Sequence, residues 1–269
     1  MTKKTSLLFK AALAALSLTP SLSSGFVIFS EDFAGTSGGV GSLDNTLEDQ
    51  SGAQWSANGF ATDNGVLNTG QFEGSAVLAF TPMVGNIYSL SLDVTSSSNR
   101  WVGLGFSTNG PVENGAGDAP LNDSVDRFAQ SGGQSWFLYR PDANSVAEEV
   151  QIFGGPNTAN GIADTDVDFD ATITAPRTLT VILDTTADLS GASYQADYFI
   201  DGVSLLSAGP ATISQPLSSI GVVGFTFEGP DDGGATPITV DNFLFESIPE
   251  PSTAILAALG VLGLIRRRR

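Results

Sequence analysis

Regular alternation of apolar and polar residues is the feature that most constrains the fold of this chain. The clearest case is residues 87–95, IYSLSLDVT, in which the large apolar residues occupy every second position. A period of two gives a β-strand one buried face and one solvated face. Comparable runs, separated by loops rich in Gly, Ser, Asn, Asp and Pro, lie at residues 26–33, 76–81, 101–107, 135–140, 146–153, 178–185, 194–200, 220–227 and 238–246.

These runs predict an all-β protein built as a two-sheet antiparallel sandwich. No window between residues 26 and 247 has a convincing helical stripe, and some ten strands with turn signals are typical of two packed sheets. Asp201-Gly202, which separates two apolar runs, predicts a tight hairpin. Residues 26–247 are numerous enough for one hydrophobic core, so we expect a single domain there.

Composition excludes several classes of function. The chain has no cysteine and no histidine, which excludes cysteine proteases, Ser-His-Asp hydrolases and histidine-ligated zinc enzymes. Seven of its 11 basic residues and one of its 29 acidic residues lie outside 26–247, so that segment has four arginines, 28 acids and a net charge of −24. This charge argues against binding to nucleic acid or an anionic membrane, and it is compatible with cation binding.

The first 25 residues predict a secretory signal peptide that forms a short helix. Lys3, Lys4 and Lys10 accompany the apolar stretch 7–18, and small residues follow it, which is the layout that signal peptidase recognises. Cleavage after Ser23 and cleavage after Gly25 both fit this pattern. An uncleaved anchor is the alternative.

Residues 248–269 have a three-part organisation. The motif Pro249-Glu250-Pro251-Ser252 precedes an apolar run of 12 residues, 254–265, which is shorter than the roughly 20 residues of a comfortable membrane span. A cluster of arginines then resists translocation across the membrane; it consists of Arg266, Arg267, Arg268 and Arg269.

This organisation resembles the bacterial PEP-CTERM sorting signal. The resemblance implies a short apolar C-terminal helix that holds the exported chain transiently at the inner membrane, recognition by a membrane-embedded exosortase, and cleavage near Pro249 to Pro251. It further implies delivery to the cell surface or extracellular matrix. The two prolines fix φ and remove amide donors, which keeps the motif extended. An ordinary short tail anchor is the alternative.

A second resemblance concerns residues 26–247. RTLTVILDTT at 177–186, followed by YQADYFIDGV at 194–203, is similar to the second half of laminin-G and concanavalin A-like jelly rolls. There, a strand ending in Asp precedes a strand that leads into an Asp-Gly hairpin. The resemblance implies a jelly-roll sandwich. Because that fold serves lectins, glycanases and adhesion modules alike, it does not decide the function.

Two acidic clusters are candidates for a structural Ca²⁺ site. The first has carboxylates at every second position, a pattern that can direct several oxygens towards one hard cation; its members are Asp164, Asp166, Asp168 and Asp170. It is not an EF-hand, because Phe169 and Ala175 stand where that motif needs Gly and Glu. In a strand, these acids would instead line the solvated face.

The second cluster joins the two ends of the domain. Glu31 and Asp32 end the first strand, and Asp241 and Asn242 lie within the last. Their arrangement resembles that of jelly-roll carbohydrate-binding modules, which implies neighbouring first and last strands that share a Ca²⁺ ion. Alternatively, Asp241 bonds a backbone amide or faces water.

Aromatic residues suggest a carbohydrate-binding surface. Trp101 shares a strand face with Gly103 and Gly105, which would leave a shallow platform for a sugar ring. Two further sugar-binding candidates, Trp136 and Arg140, fall on one side of their strand, and Tyr139 is the fourth. Burial of these rings in the protein is the alternative.

Together these features predict a non-enzymatic, exported surface or matrix protein with a structural or adhesive role and a capacity to bind polysaccharide. Signal peptidase and exosortase would be its partners during export, with membrane contact through the sorting tail only. A carboxylate-dependent glycan hydrolase or lyase is the rival, although the Glu-x-Asp-x-x-Glu pattern of laminarinase-type jelly rolls is absent. A coat protein without any ligand is the third possibility.

Overall fold

The structure is a computed structural model, and it describes the greater part of the predicted sandwich. The described residues are 25–33, 41–58, 60–63, 66–69, 74–95, 101–108, 133–140, 149–154, 161–165, 176–227 and 238–248. The predicted signal helix, the apolar C-terminal helix and the sorting residues lie outside these ranges, so they stay predictions. Within the ranges, the helical structure is one three-residue 3-10 turn, Leu217–Ser219, and no helix has the length and hydropathy of a membrane span.

The described residues form 17 strands. In chain order they are β1 (Phe26–Glu31), β2 (Gly41–Ser42), β3 (Ser56–Asn58), β4 (Phe60–Asp63), β5 (Val66–Thr69), β6 (Gly74–Ala79), β7 (Ile87–Thr95), β8 (Val102–Ser107), β9 (Gly133–Arg140), β10 (Glu149–Phe153), β11 (Gly161–Thr165), β12 (Arg177–Asp184), β13 (Tyr194–Ile200), β14 (Val203–Ser204), β15 (Ala211–Ile213), β16 (Val222–Phe227) and β17 (Thr239–Ile248).

Two antiparallel sheets form the sandwich. The ten-stranded sheet has the order β14-β13-β12-β7-β17-β5-β4-β2, with β1 also paired to β17 and β15 to β13. The seven-stranded sheet has the order β11-β10-β9-β8-β16-β6-β3. The prediction of an all-β, two-sheet antiparallel sandwich is therefore confirmed.

The alternating runs place the core between the sheets. In β7, the apolar residues at positions 88, 90, 92 and 94 are buried, while the polar residues between them are partly exposed. The strands β12 and β13 follow the same pattern. From the opposite sheet, β8 and β16 contribute Leu104, Phe106 and Phe225 to the same core.

The hairpin between β13 and β14 forms where the sequence predicts it. Ile200 pairs with Val203 across a two-residue turn, Asp201-Gly202. Both turn residues have positive φ, 51° and 77°, as a type I′ turn requires. Asp201 also accepts a 2.7 Å hydrogen bond from the Arg177 guanidinium, which ties the turn to the start of β12.

Strand β17 changes neighbours along one of its edges. Thr239 and Val240 pair with β5, whereas residues 243–247 pair with β1. On the other edge, the pairing with β7 shifts between Asp241 and Leu244, which marks a β-bulge. Asn242, in the bulge, has a φ of 50°, a left-handed value that asparagine tolerates better than most residues. The end of β1 and this bulge together leave a recess in the sheet.

Candidate functional site

The recess is an open cavity of about 880 Å³ where the end of β1 meets the bulge of β17 and strand β7. Its volume lies within the range of small-molecule sites in proteins. Seven of its nine lining residues are polar or charged, and the nine are Ser30, Glu31, Asp32, Asp49, Ser91, Asp93, Asn242, Phe243 and Leu244.

Glu31 is the buried carboxylate of the cavity, with 3% of its surface exposed. One of its oxygens accepts a 2.8 Å hydrogen bond from the Phe33 amide, and the other accepts a 3.4 Å bond from the Trp55 indole nitrogen. Burial raises the pKa of Glu31 to about 7, and the nearby charges of Asp49 and Asp32 act in the same direction. The two hydrogen bonds oppose this rise in pKa.

A loop over residues 43–55 brings Asp49 to the cavity. The Asp49 amide donates to the Ser30 carbonyl at 3.0 Å, and the Asp49 carboxylate accepts a 3.2 Å bond from the Asp32 amide. Glu48 holds the loop in place, because it accepts bonds from the amides of Ser30 at 3.0 Å and Gln50 at 2.9 Å. Although burial opposes them, hydrogen bonds from Ser51 and these amides lower the pKa of Glu48.

Three carboxylates therefore converge. Oxygens of Glu31, Asp32 and Asp49 all lie within 4.8 Å of one another; Glu31 is buried, and Asp32 and Asp49 are exposed. Ligands at about 2.3–2.6 Å from one Ca²⁺ ion are at most about 5 Å apart, and Ca²⁺ takes oxygen ligands. By distance and by donor chemistry, these three residues fit a Ca²⁺ ion. Glu31 and Asp32 belong to the set that the sequence resemblance implies, whereas Asp49 does not.

The bulge decides which residue of β17 faces the cavity. Asn242 lines it and donates a 2.9 Å bond to Asp93, whose other oxygen accepts a 2.6 Å bond from the Thr178 hydroxyl. Asp241 does not line the cavity, and its carboxylate accepts a 2.7 Å bond from the Asn242 amide. This bond agrees with the alternative to metal binding for Asp241, and metal binding by Asp241 stays a prediction.

The other acidic cluster lies almost wholly outside the described residues. Asp164 belongs to β11, where its backbone pairs with Gln151 of β10, and its side chain is not described. Asp166, Asp168 and Asp170 fall outside the described ranges. Calcium binding by this cluster stays a prediction.

The predicted sugar-binding aromatic residues are packed rather than exposed. Trp101 and Trp136 belong to a second apolar cluster, and Trp136 stacks on Phe153 with ring centroids 4.2 Å apart. A Cβ placed on Gly103 would lie 3.2 Å from the Trp136 ring, so this ring covers the glycine. Tyr139 points into the main core.

Carbohydrate binding by these aromatic residues stays a prediction, and the rings of all three are buried in the structure. Trp101 and Trp136 are 7% and 1% exposed, and Tyr139 is 1% exposed. Arg140 ends β9, and its side chain is not described.

This protein is a β-sandwich with an acidic recess at the end of its first strand, β1. Its structural neighbours are lectin-type, concanavalin A-like jelly rolls. The chain is similar to the carbohydrate recognition domain of Emp47p, with 12% identity, 77% of this chain and 93% of that chain covered, and a TM-score of 0.49.

Two further neighbours have comparable scores. The alginate lyase Aly36B has 15% identity, covers 81% of this chain and 96% of its own, and has a TM-score of 0.44. A lectin from Bauhinia forficata, solved with GalNAc, has 14% identity, 76% and 96% coverage, and a TM-score of 0.43. At such identities and TM-scores, the ligands and reactions of these proteins do not transfer to this chain.

The C-terminal part of the chain has a family match. Residues 247–269 match the family model of the PEP-CTERM protein-sorting motif, which confirms the resemblance drawn from the Pro-Glu-Pro motif, the apolar run and the arginine cluster. The match indicates export and sorting through the C-terminal tail. A comparison with curated proteins gives no match.

Proposed function

We propose that this chain is a surface or extracellular-matrix protein with a structural or adhesive role, and that its sandwich binds polysaccharide at the cavity between β1 and β17. The observation that carries the binding proposal is the cavity itself, an open recess lined by hydroxyl, amide and carboxylate groups. Such groups form hydrogen bonds with sugar hydroxyls. The sorting motif supports a role outside the cell, where polysaccharide is available.

A structural Ca²⁺ held by Glu31, Asp32 and Asp49 is part of this proposal. The three carboxylates repel one another, and burial disfavours the charge on Glu31. A divalent cation would supply opposite charge at the point where they converge. Ca²⁺ binding would thereby fix the end of β1 and the 43–55 loop, which form one wall of the cavity.

Polysaccharide binding is tested with the sandwich, residues 25–248, on a glycan array and on matrix polysaccharides from the host, in Ca²⁺ and in EDTA. We expect binding in Ca²⁺ that the pair Asp32→Asn and Asp49→Asn weakens. Glu246→Gln is the matched control, because it removes a carboxylate from β17 outside the cavity. Absence of binding to every polysaccharide in both conditions would favour a coat protein without a ligand.

The proposed processing has a separate test in the host. Signal peptidase would remove residues 1–25, and an exosortase would cut near Pro249 to Pro251 while the tail is in the inner membrane. Replacement of both prolines by alanine should leave the chain uncut and retained in the membrane fraction. Unchanged size and unchanged release would contradict the role of the motif.

A glycan hydrolase or lyase is the second candidate, and one observation favours it. Glu31 has a raised pKa beside Asp49 and Asp32 in an open cavity, and paired carboxylates of different pKa carry out glycoside hydrolysis. Against this role, both oxygens of Glu31 already accept hydrogen bonds. Release of new chain ends from a polysaccharide by the wild-type protein, lost in Glu31→Gln, would establish the enzyme.

A further inference from the structure

Exposed apolar side chains concentrate at one end of the sandwich. Six large hydrophobic residues are exposed among the described ones, and two of them lie elsewhere, Leu47 beside the cavity and Val203 on the hairpin at the opposite end. The other four are exposed by 42–73% and are here named the apolar tip; they are Phe26, Met83, Val84 and Leu189.

Hydrogen bonds hold the loops of the apolar tip in place. The Met83 amide donates to the Tyr88 hydroxyl at 2.9 Å, and the Asn86 amide donates to the Thr185 hydroxyl at 2.9 Å. The Thr185 carbonyl accepts a further bond from the Gly85 amide. The loop that carries Met83 is thus fastened to β7 and to the end of β12. The loop that carries Leu189 is held through the Gly191 carbonyl, which accepts a 2.8 Å bond from the Leu217 amide.

One charged neighbour of the apolar tip, Asp188, is turned back onto its own loop. Asp188 precedes Leu189, and its carboxylate accepts bonds from the Ser190 amide at 2.9 Å and the Ser193 amide at 3.1 Å. The hydroxyl groups of the same two serines also donate to it. These four bonds hold the Asp188 carboxylate within the loop. The neighbouring Leu189 side chain remains exposed.

The chain leaves the sandwich at this same end. Ile248, the last residue of β17, pairs with Ile87, and Phe26 pairs with Ser247. The apolar run of the sorting tail begins at Ala254, six residues after Ile248. Six extended residues span at most about 20 Å. While that run is in a bilayer, the end of the sandwich that carries the apolar tip is thus within about 20 Å of the membrane.

We propose that the apolar tip rests against the lipid bilayer that holds the uncleaved sorting tail. The inference rests on the proposed membrane anchoring of that tail. Exposed apolar side chains favour the interfacial region of a bilayer, and the short linker brings them to it. Asn242 of the cavity lies six residues from Ile248, about 20 Å along a strand. In this orientation the cavity lies about 20 Å further from the membrane than the apolar tip, which leaves room for polysaccharide.

The absence of cysteine makes the test direct, because one introduced cysteine carries a unique label. Met83→Cys and Leu189→Cys place an NBD fluorophore on the apolar tip without touching the core. Val203→Cys is the matched control, an exposed apolar residue at the opposite end, and Ala257→Cys reports on the tail. The full chain is reconstituted in phosphatidylcholine vesicles, with or without lipids brominated along their acyl chains.

We expect brominated lipid to quench the labels at positions 83, 189 and 257 and to leave the label at position 203 unchanged. Quenching at 257 without quenching at 83 and 189 would overturn the inference while leaving the anchoring intact. No quenching at 257 would refute the anchoring, and the inference with it. Equal quenching at 203 and 83 would indicate unspecific adsorption and overturn the orientation.

Discussion

Glu31→Gln should have opposite effects on stability with and without calcium. The substitution keeps the size of the side chain and an oxygen that can accept the bond from the Phe33 amide, and it removes the negative charge. In the wild-type protein, burial raises the pKa of Glu31 from 4.5 to about 7, and Asp49 and Asp32 add to this. The charged form of Glu31 is therefore unfavourable in the folded state without a cation.

The size of the effect follows from the shift in pKa. A rise from 4.5 to about 7 corresponds to about 3 kcal/mol of unfolding free energy. Because the pKa of an acid is raised, this contribution is complete below pH 4.5 and is lost as the pH rises through 7. In EDTA, the wild-type protein should thus lose up to about 3 kcal/mol between pH 4 and pH 8 relative to Glu31→Gln.

At pH 8, the order of stability should depend on calcium. In EDTA, Glu31→Gln should be the more stable protein. In Ca²⁺ at about 1,000 times its dissociation constant, the wild-type protein gains about 4.1 kcal/mol, which exceeds its deficit of about 3 kcal/mol. We expect the variant, which lacks the buried ligand, to gain only a small part of this, so the wild type becomes the more stable protein. Urea unfolding followed by tryptophan fluorescence measures the stability of each protein in EDTA and in Ca²⁺, because Trp55 contacts Glu31.

One variant is the control for this experiment, and two results would contradict its reasoning. Glu246→Gln, outside the cavity, should leave the calcium response of the wild type intact. If Glu31→Gln is the less stable protein in EDTA at pH 8, burial of the charge does not govern this site. If Ca²⁺ changes the stability of neither protein, the three carboxylates do not form a calcium site.

The remaining predictions concern packing and the number of ions. Trp136→Ala should lower the unfolding free energy by about 3–5 kcal/mol, as loss of a buried aromatic ring does, and it should leave polysaccharide binding at the cavity unchanged in a titration of the folded protein. Ser135→Ala removes the 2.8 Å partner of the buried Tyr198 hydroxyl and should cost about 1–3 kcal/mol in urea unfolding; Tyr198→Phe combined with it should restore part of that loss. Isothermal titration should detect a Ca²⁺ ion that Asp49→Asn abolishes and Asp166→Asn retains; the reverse result would move the site to the other acidic cluster.

Local patterns predicted the sheets well, because they report on properties of single strands. The alternation in 87–95 places four side chains in the core without reference to any partner strand, and the structure has them there. The Asp201-Gly202 turn is equally local, since two left-handed residues suffice to form it. A period of two also grouped Trp101 with Gly103 and Gly105, and Trp136 with Arg140; both tryptophans belong to the smaller apolar cluster, outside the main core. The period could not predict that packing would cover that face.

The cavity, in contrast, forms through tertiary contacts, and local sequence patterns indicate those contacts only indirectly. Asp49 reaches Asp32 because hydrogen bonds to Glu48 fold the 43–55 loop back onto Ser30, and a pair of acids in a long loop does not predict that closure. The sequence did contain a sign of the bulge. Val240, Phe243 and Phe245 are all buried, and their spacing of three and then two breaks the alternation between them.

That break explains why, of the two residues predicted in the last strand, Asn242 lines the cavity and Asp241 does not. An unbroken strand would turn residues 241 and 243 to one face, but one inserted residue reverses the alternation after the bulge and gives Asn242 a left-handed backbone. The same position is where β17 exchanges β5 for β1, so an edge of the strand is left open beside the bulge. An aspartate at 242 would add a fifth carboxylate to the cavity and set it against Asp93, which now accepts a bond from the Asn242 side-chain amide. Asn242→Asp should therefore weaken the sheet in EDTA and be partly rescued by Ca²⁺ in thermal unfolding; equal destabilisation in both conditions would separate this residue from the calcium site.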